Sequence, residues 1–127
     1  MTEEIVQSDV LLQVRSLKKY FPIQRGFRRK VVGYVKAVDD VDFTIRLGET
    51  LGLVGESGCG KSTTARLVMR AYEPTGGEVL FKRRDDTVVN VAHLDRPALK
   101  SIRSEMQMIF QDPYSSLNPR MTLLQII

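Results

Sequence analysis

The 127-residue sequence predicts an α/β fold, and three observations carry that expectation. Val41, Phe43 and Ile45 alternate with Asp42, Thr44 and Arg46, the period-two pattern of a strand with one wet face. Thr50–Val54 follows as a continuous apolar run, as expected of a strand buried on both sides. After a glycine-rich turn, Thr64, Leu67, Val68, Ala71 and Tyr72 recur at helical spacing while Arg66 and Arg70 take the opposite face. That stretch predicts an amphipathic helix packed on a sheet.

The remaining elements follow in chain order. Residues 1–10 read as an N-terminal tail, and Val10–Leu17 as a first strand with Leu12 and Val14 on one face. Lys18, Lys19, Arg25, Arg28, Arg29 and Lys30, interrupted by Pro22 and Gly26, predict a mobile surface loop. Gly48 turns the chain before the apolar run. Pro74 ends the helix, and Gly76–Gly77 turns into a short strand at Glu78–Phe81. Arg83, Arg84, Asp85 and Asp86 read as a solvated tip. Asp95 is placed to cap a helix at Arg96–Arg103. Met106–Phe110 reads as another strand and Pro113–Pro119 as a loop. Thr122 and Gln125 have capping-box spacing, with Leu123, Leu124, Ile126 and Ile127 as an apolar face. About one turn of helix is announced there, too short to hold alone in water. The expectation is that the sequence ends inside a larger protein, or that its frame ended early.

Composition narrows the class. The chain is 43% hydrophobic and 27% charged with a net charge of +4, ordinary for one globular domain or part of one. The mild basic excess suits a phosphate ligand or a surface near anionic lipid without requiring nucleic acid. No apolar run has the length to span a bilayer, and Glu3, Glu4 and Asp9 stand where a signal peptide would be basic. A single cysteine, Cys59, forms no internal disulfide, as expected in a reducing cytosol.

Gly55-Glu56-Ser57-Gly58-Cys59-Gly60-Lys61-Ser62 matches G-x-x-x-x-G-K-S/T, a phosphate-binding loop. Each position has a physical reason. The glycines let the backbone wrap closely with N–H groups turned inward on phosphate oxygens. The following helix presents the positive end of its dipole to the same anion. Lys61 is placed to reach β- and γ-phosphates and the Ser62 hydroxyl to ligate Mg²⁺. A plain glycine turn with a solvated lysine is the bland alternative, and the flanking strand and helix weigh against it. At Cys59 a small residue tolerated in the loop outweighs a redox role, although alkylation there would block the loop.

Several segments beyond the loop resemble the nucleotide-binding subunit of ATP-binding cassette importers, most closely the oligopeptide/dipeptide branch. They are Leu17–Pro22, Val35–Asp39, Gly48–Thr64, Glu73–Gly77 and Met106–Met121, with Ile109–Arg120 the most branch-specific. The resemblance implies a P-loop NTPase of the ABC ATPase type. An N-terminal antiparallel β-subdomain and a P-loop strand–helix unit would make up residues 11–127, a partial ATP-binding domain ending before the helical subdomain. It implies ATP and Mg²⁺ as cofactors, held by Gly55, Glu56, Ser57, Gly58, Cys59, Gly60, Lys61, Ser62 and the adjoining Thr63. Tyr20 would stack on adenine, with Val38 packed near the same base. Gln111 would reach Mg²⁺ and the attacking water, alongside Lys61 in catalysis. Without the family, Tyr20 reads as a half-buried strand end and Gln111 as an ordinary polar residue. Implied partners are a second ATPase subunit of paralogous sequence, two membrane permeases docked on the segment after Gln111 and, indirectly, a solute-binding protein. The implied location is cytoplasmic, peripheral on the inner face of the cell membrane, with no nucleic-acid partner.

The sequence also departs from that family. It has no Leu-Ser-Gly-Gly-Gln signature, no apolar strand ending in Asp-Glu and no switch histidine, because its one histidine, His93, precedes Gln111 and reads as a surface residue. Phe81–His93 lacks the usual glycine after Phe81. The expectation is Mg-ATP binding with negligible hydrolysis by this chain alone, and marginal stability with exposed apolar faces at 50–54 and 106–110. Three rival readings stay open. One is a small nucleotide kinase with a metal-binding Asp112. Another is a non-catalytic ATP-binding or permease-docking module. The third is nucleic-acid binding through Arg25–Lys30, where Phe27 is the lone stacking candidate.

Overall fold

The computed structural model describes residues 9–110, together with 122 and 124. Its centre is a four-stranded antiparallel sheet in the order β2-β1-β3-β4, built from β1 (Val10–Arg25), β2 (Lys30–Arg46), β3 (Gly76–Lys82) and β4 (Val88–Asn90). Two helices, α1 (Lys61–Val68) and α2 (Arg96–Ile102), and a 3₁₀ turn at Val91–His93 complete the elements.

The expected loop from Lys18 to Lys30 is instead the distal part of a long β-hairpin. β1 continues to Arg25, and a turn at Gly26, with φ +80°, carries Arg29 N–H back to the Gly26 carbonyl at 3.1 Å. Pro22 does not stop the strand, because β3 pairs with β1 only as far as Lys18. Beyond that point β1 has an open edge, where a residue without an N–H costs little.

The sheet's register places apolar side chains on one face. Leu12 lies opposite Phe81 and Val14 opposite Val79, and all four are buried. They join Leu17, Val38, Leu67, Val91, Leu99 and Ile102 in one core. Asn90 is buried too, but its side-chain oxygen accepts from Val79 N–H at 3.1 Å and Ala92 N–H at 3.2 Å. Those two bonds satisfy the buried side-chain oxygen and cap the 3₁₀ turn that follows β4.

Helix α1 ends at Val68, short of the expected Ala71 and Tyr72. Arg70 takes φ +54°, its N–H reaches the Leu67 carbonyl at 2.9 Å, and the Ala71 N–H reaches the Arg66 carbonyl at 2.8 Å. This is a Schellman cap, usually made with glycine, which is why the sequence conceals it. Helix α2 begins where expected, with Asp95 accepting from Ala98 N–H at 3.0 Å.

Thr50–Val54 and Met106–Phe110 do not form the expected strands. Leu53 is 47%, Val54 93% and Ile109 97% exposed. A strand apolar on both faces needs ladder partners on both sides, and among the described residues these segments have none. They lie instead along an apolar groove of about 340 Å³ beside α1, with Leu12, Phe43 and Ile45 on its other wall.

The expected solvated tip is also narrower than Arg83–Asp86. Arg83 is half-buried, and its guanidinium donates twice to Glu105 Oε1, at 2.9 and 2.7 Å. The Arg84 N–H donates to Glu105 Oε2 at 3.2 Å, leaving the side chains of Arg84, Asp85 and Asp86 exposed. His93 is exposed, as expected. Gln111, the Asp112–Arg120 segment, Gln125 and the rest of the terminal helix face other than Leu124 lie outside the described residues. Among the described residues, no helix is long and apolar enough to cross a membrane.

Candidate phosphate site

The glycine-rich turn is held from its C-terminal end. Gly60 is the N-cap of α1 with φ +97°, and its carbonyl accepts both the Thr64 N–H at 2.8 Å and the Thr64 hydroxyl at 2.9 Å. A Cβ at Gly60 would stand 2.4 Å from the Ala37 carbonyl oxygen, so only glycine lets the turn approach β2 this closely. Gly58 also has a positive φ, +82°, but faces open space, so there the backbone conformation alone calls for glycine. Thr64 and Leu67 are buried, which fixes the helix against the core.

Lys61 folds its ammonium over the turn. Nζ donates to the Gly55 carbonyl at 2.6 Å and to the Glu56 carbonyl, with Cys59 Sγ at 3.4 Å. The first N–H groups of α1 have no intrahelical acceptors, as at every helix start. Ser57, Gly58, Gly60, Lys61, Ser62 and Thr63 line a cavity of about 430 Å³, with no acidic side chain among them. Such a lining offers backbone donors, a helix dipole and one ammonium to an anion. Ser62 is exposed, and its hydroxyl makes no hydrogen bond among the described residues. No group of three or more His, Cys, Asp and Glu there is placed to hold a metal. A hard cation therefore fits this site through Ser62 only when an oxygen-rich ligand supplies the rest of its shell.

Tyr20 lies opposite Lys36 in the β1–β2 ladder, next to the Ala37 carbonyl that touches Gly60. Its hydroxyl donates to Asp39 Oδ1, and Lys36 Nζ sits 3.2 Å from Asp39 Oδ2 and 5.2 Å from the centre of the Tyr20 ring. The bond from the Tyr20 hydroxyl, then that from Lys36, holds the Asp39 carboxyl below its usual range. Donation to that carboxylate raises the Tyr20 phenol. The same partner raises Lys36. Tyr20 N–H also donates to Thr75 Oγ1 at 3.0 Å. The ring is thus fastened at both ends. Sequence reasoning passed over Asp39 as a holder of Tyr20, although Lys36-x-x-Asp39 was a visible clue. Val38 is 4% exposed, packed in the core beside Gly60 rather than open to a ligand. Gln111 lies outside the described residues.

Residues 38–126 match the family model described as ABC transporter. The oligopeptide transport ATP-binding protein AppF of Bacillus subtilis is 52% identical over 120 residues, which is 94% of this chain and 35% of that protein. The chain thus spans about a third of the length of this curated relative. The dimeric ATP-binding cassette MJ0796 in a post-hydrolysis state, bound to ADP and Pi, superposes with a TM-score of 0.58 at 27% identity, over 73% of this chain and 35% of that one. A second dimeric structure of MJ0796, a bacterial ABC transporter cassette, gives a TM-score of 0.67 at 25% identity, over 91% and 44%.

Proposed function

The chain belongs to the ABC transporter family, and from that premise we propose that it is the P-loop part of the ATP-binding subunit of a peptide importer. The observation that carries this reading is the glycine turn packed on Ala37, with Lys61 arched over a cavity at the start of α1. The 52% identity to an oligopeptide transport ATP-binding protein supports the peptide branch.

In this reading residues 11–127 contribute to one ATP-binding domain. The triphosphate lies in the cavity against the N–H groups of Gly58 to Thr63, and Lys61 leaves the Gly55 and Glu56 carbonyls for the β- and γ-phosphates. Ser62 and Gln111 would be the residues of this chain that hold a Mg²⁺ bound with the nucleotide, and the ion would supply neutralisation of phosphate charge. Tyr20, held by Asp39, stacks on the adenine. Val38 supports the loop from the core side instead of touching the base. The segment after Gln111 receives two permeases, a paralogous ATPase subunit faces the P-loop, and a solute-binding protein delivers the peptide. The subunit then works on the cytoplasmic face of the membrane.

Among the described residues the site supplies phosphate binding but no carboxylate placed to activate water, and in this reading the chain alone binds Mg-ATP with negligible turnover. Calorimetric titration with Mg-ATP tests this. Binding should weaken roughly 10- to 100-fold in Lys61→Ala, the usual loss for a charge-assisted hydrogen bond. Equal affinity in that variant, or steady ATP hydrolysis that Lys61→Ala abolishes, would overturn the proposal.

A further inference from the structure

The β1–β2 ribbon beyond Lys18 takes no part in the phosphate cavity and carries an uneven charge. From Lys19 to Lys36 it contains six Lys and Arg and no Asp or Glu. The rest of the chain holds thirteen Lys and Arg against fifteen Asp and Glu, so the overall +4 joins a +6 segment to a −2 remainder. From Tyr20 to Lys36 the ribbon has no third strand. At its far end Arg25 lies directly opposite Lys30, and the turn between them adds Arg28 and Arg29. None of these four cations forms an ion pair among the described residues. Phe27 projects from the turn fully exposed, and Val31 and Val32 beside it are 43% and 57% exposed.

Folding gains nothing from either feature. Like charges directly opposite in a ladder repel, and an aromatic ring on an open turn buries no surface. Both become favourable against a surface that is anionic at its outside and apolar just beneath. We propose that the tip of this hairpin is a docking site for the anionic phospholipid surface of a membrane. Arg25, Arg28, Arg29 and Lys30 meet headgroup phosphates and carboxylates, and Phe27 enters the headgroup–acyl boundary. Nucleic acid fits the tip less well. Phe27 is the one ring in the turn, and the neighbouring valines offer no face for base stacking.

The chain contains no tryptophan, so Phe27→Trp places a single fluorescent reporter at the tip. With vesicles of phosphatidylcholine containing phosphatidylserine, its emission should shift to the blue and the protein should sediment with the vesicles. Added salt should weaken both effects, and pure phosphatidylcholine should give neither. Adding Arg28→Gln and Arg29→Gln to the Trp variant should lower partitioning about 25-fold, from roughly fivefold per charge at an anionic surface. Both positions are exposed in the turn, so the fold is retained. The idea fails if there is no shift, if phosphatidylcholine alone gives an equal one, or if the double substitution changes nothing. It also fails if a single-stranded oligonucleotide binds the tip as tightly at the same salt, which would make it a general polyanion patch. No step requires nucleotide, so the result is independent of whether the P-loop binds ATP.

Discussion

Replacing Gly60 by alanine strikes a point where the glycine-rich loop is braced against the sheet. Two costs add. A side chain at φ +97° forces an L-residue into the left-handed region, worth about 1–2 kcal/mol. The new Cβ also falls 2.4 Å from the Ala37 carbonyl oxygen and 3.6 Å from its carbon. Backbone, not a flexible side-chain tip, has to yield. Ala37 precedes Val38, which is 4% exposed in the core, so moving it disturbs packing at a further cost of about 1–3 kcal/mol. The sum is about 2–5 kcal/mol, and a urea slope of about 1.5 kcal/mol/M turns it into a midpoint lowered by about 1–3 M. Gly48 provides the internal standard. It has φ +75° with nothing within 4 Å, so Gly48→Ala carries the conformational cost alone and should lower the midpoint by about 1 M. Urea denaturation of both variants, with Mg-ATP titration of each, separates the terms. Equal midpoints for the two variants would refute the contact as a brace. Unchanged nucleotide affinity in Gly60→Ala would refute the idea that the brace shapes the loop.

Three other outcomes are expected. Glu105 holds Arg83 and the Arg84 N–H, and the Arg83 bonds, foremost, lower its carboxyl pKa. A carboxylate lowered in this way stabilises the fold above its ordinary value of 4.5, and that contribution disappears as pH falls through the lowered folded-state value. Glu105→Gln should therefore be less stable than the parent near neutral pH, with a deficit that shrinks in urea denaturation below about pH 4; a pH-independent deficit would contradict the linkage. Cys59 is exposed, and its Sγ lies 3.4 Å from Lys61 Nζ. N-ethylmaleimide should abolish Mg-ATP binding, prior ATP should protect, and Cys59→Ser should bind normally and ignore the reagent. With Val54 93%, Ile109 97% and Phe110 55% exposed, sedimentation velocity should show concentration-dependent self-association, reduced in Val54→Ser/Ile109→Ser. A monodisperse monomer at every concentration would count against that.

Legibility followed the range of the interactions involved. The loop, the start of α1 and the Asp95 cap depend on residues within one or two turns, and the sequence displayed them at their observed positions. The hairpin past Lys18 was hidden because charge and Pro22 suggested a loop. The missing fact was that β1 has an open edge there, which only the position of β3 reveals. Arg70 in a glycine's place concealed the end of α1, and Glu105, twenty-two residues from Arg83, concealed that half-buried pair. The long-range error ran the other way at Thr50–Val54 and Met106–Phe110. Their composition suits a buried strand, but a strand exists only with neighbours, and periodicity cannot supply them.

That same contrast shapes what the loop can do. Its C-terminal half is rigidly placed, since Gly60 meets Ala37 and Thr64 and Leu67 are buried, whereas the flank from Thr50 to Val54 is exposed and unpaired. The backbone N–H groups from Gly60 onward are therefore held in place, and those nearer Gly55 rest on the bonds that Lys61 makes to the Gly55 and Glu56 carbonyls. A nucleotide that draws Lys61 away removes that tether, and its phosphates must replace it with their own contacts to the loop. Binding and ordering of the loop's first half are then one process. In the proposed ATP-binding reading, part of the intrinsic affinity is spent on that ordering, so an element that pairs with 50–54 should raise ATP affinity without touching the nucleotide.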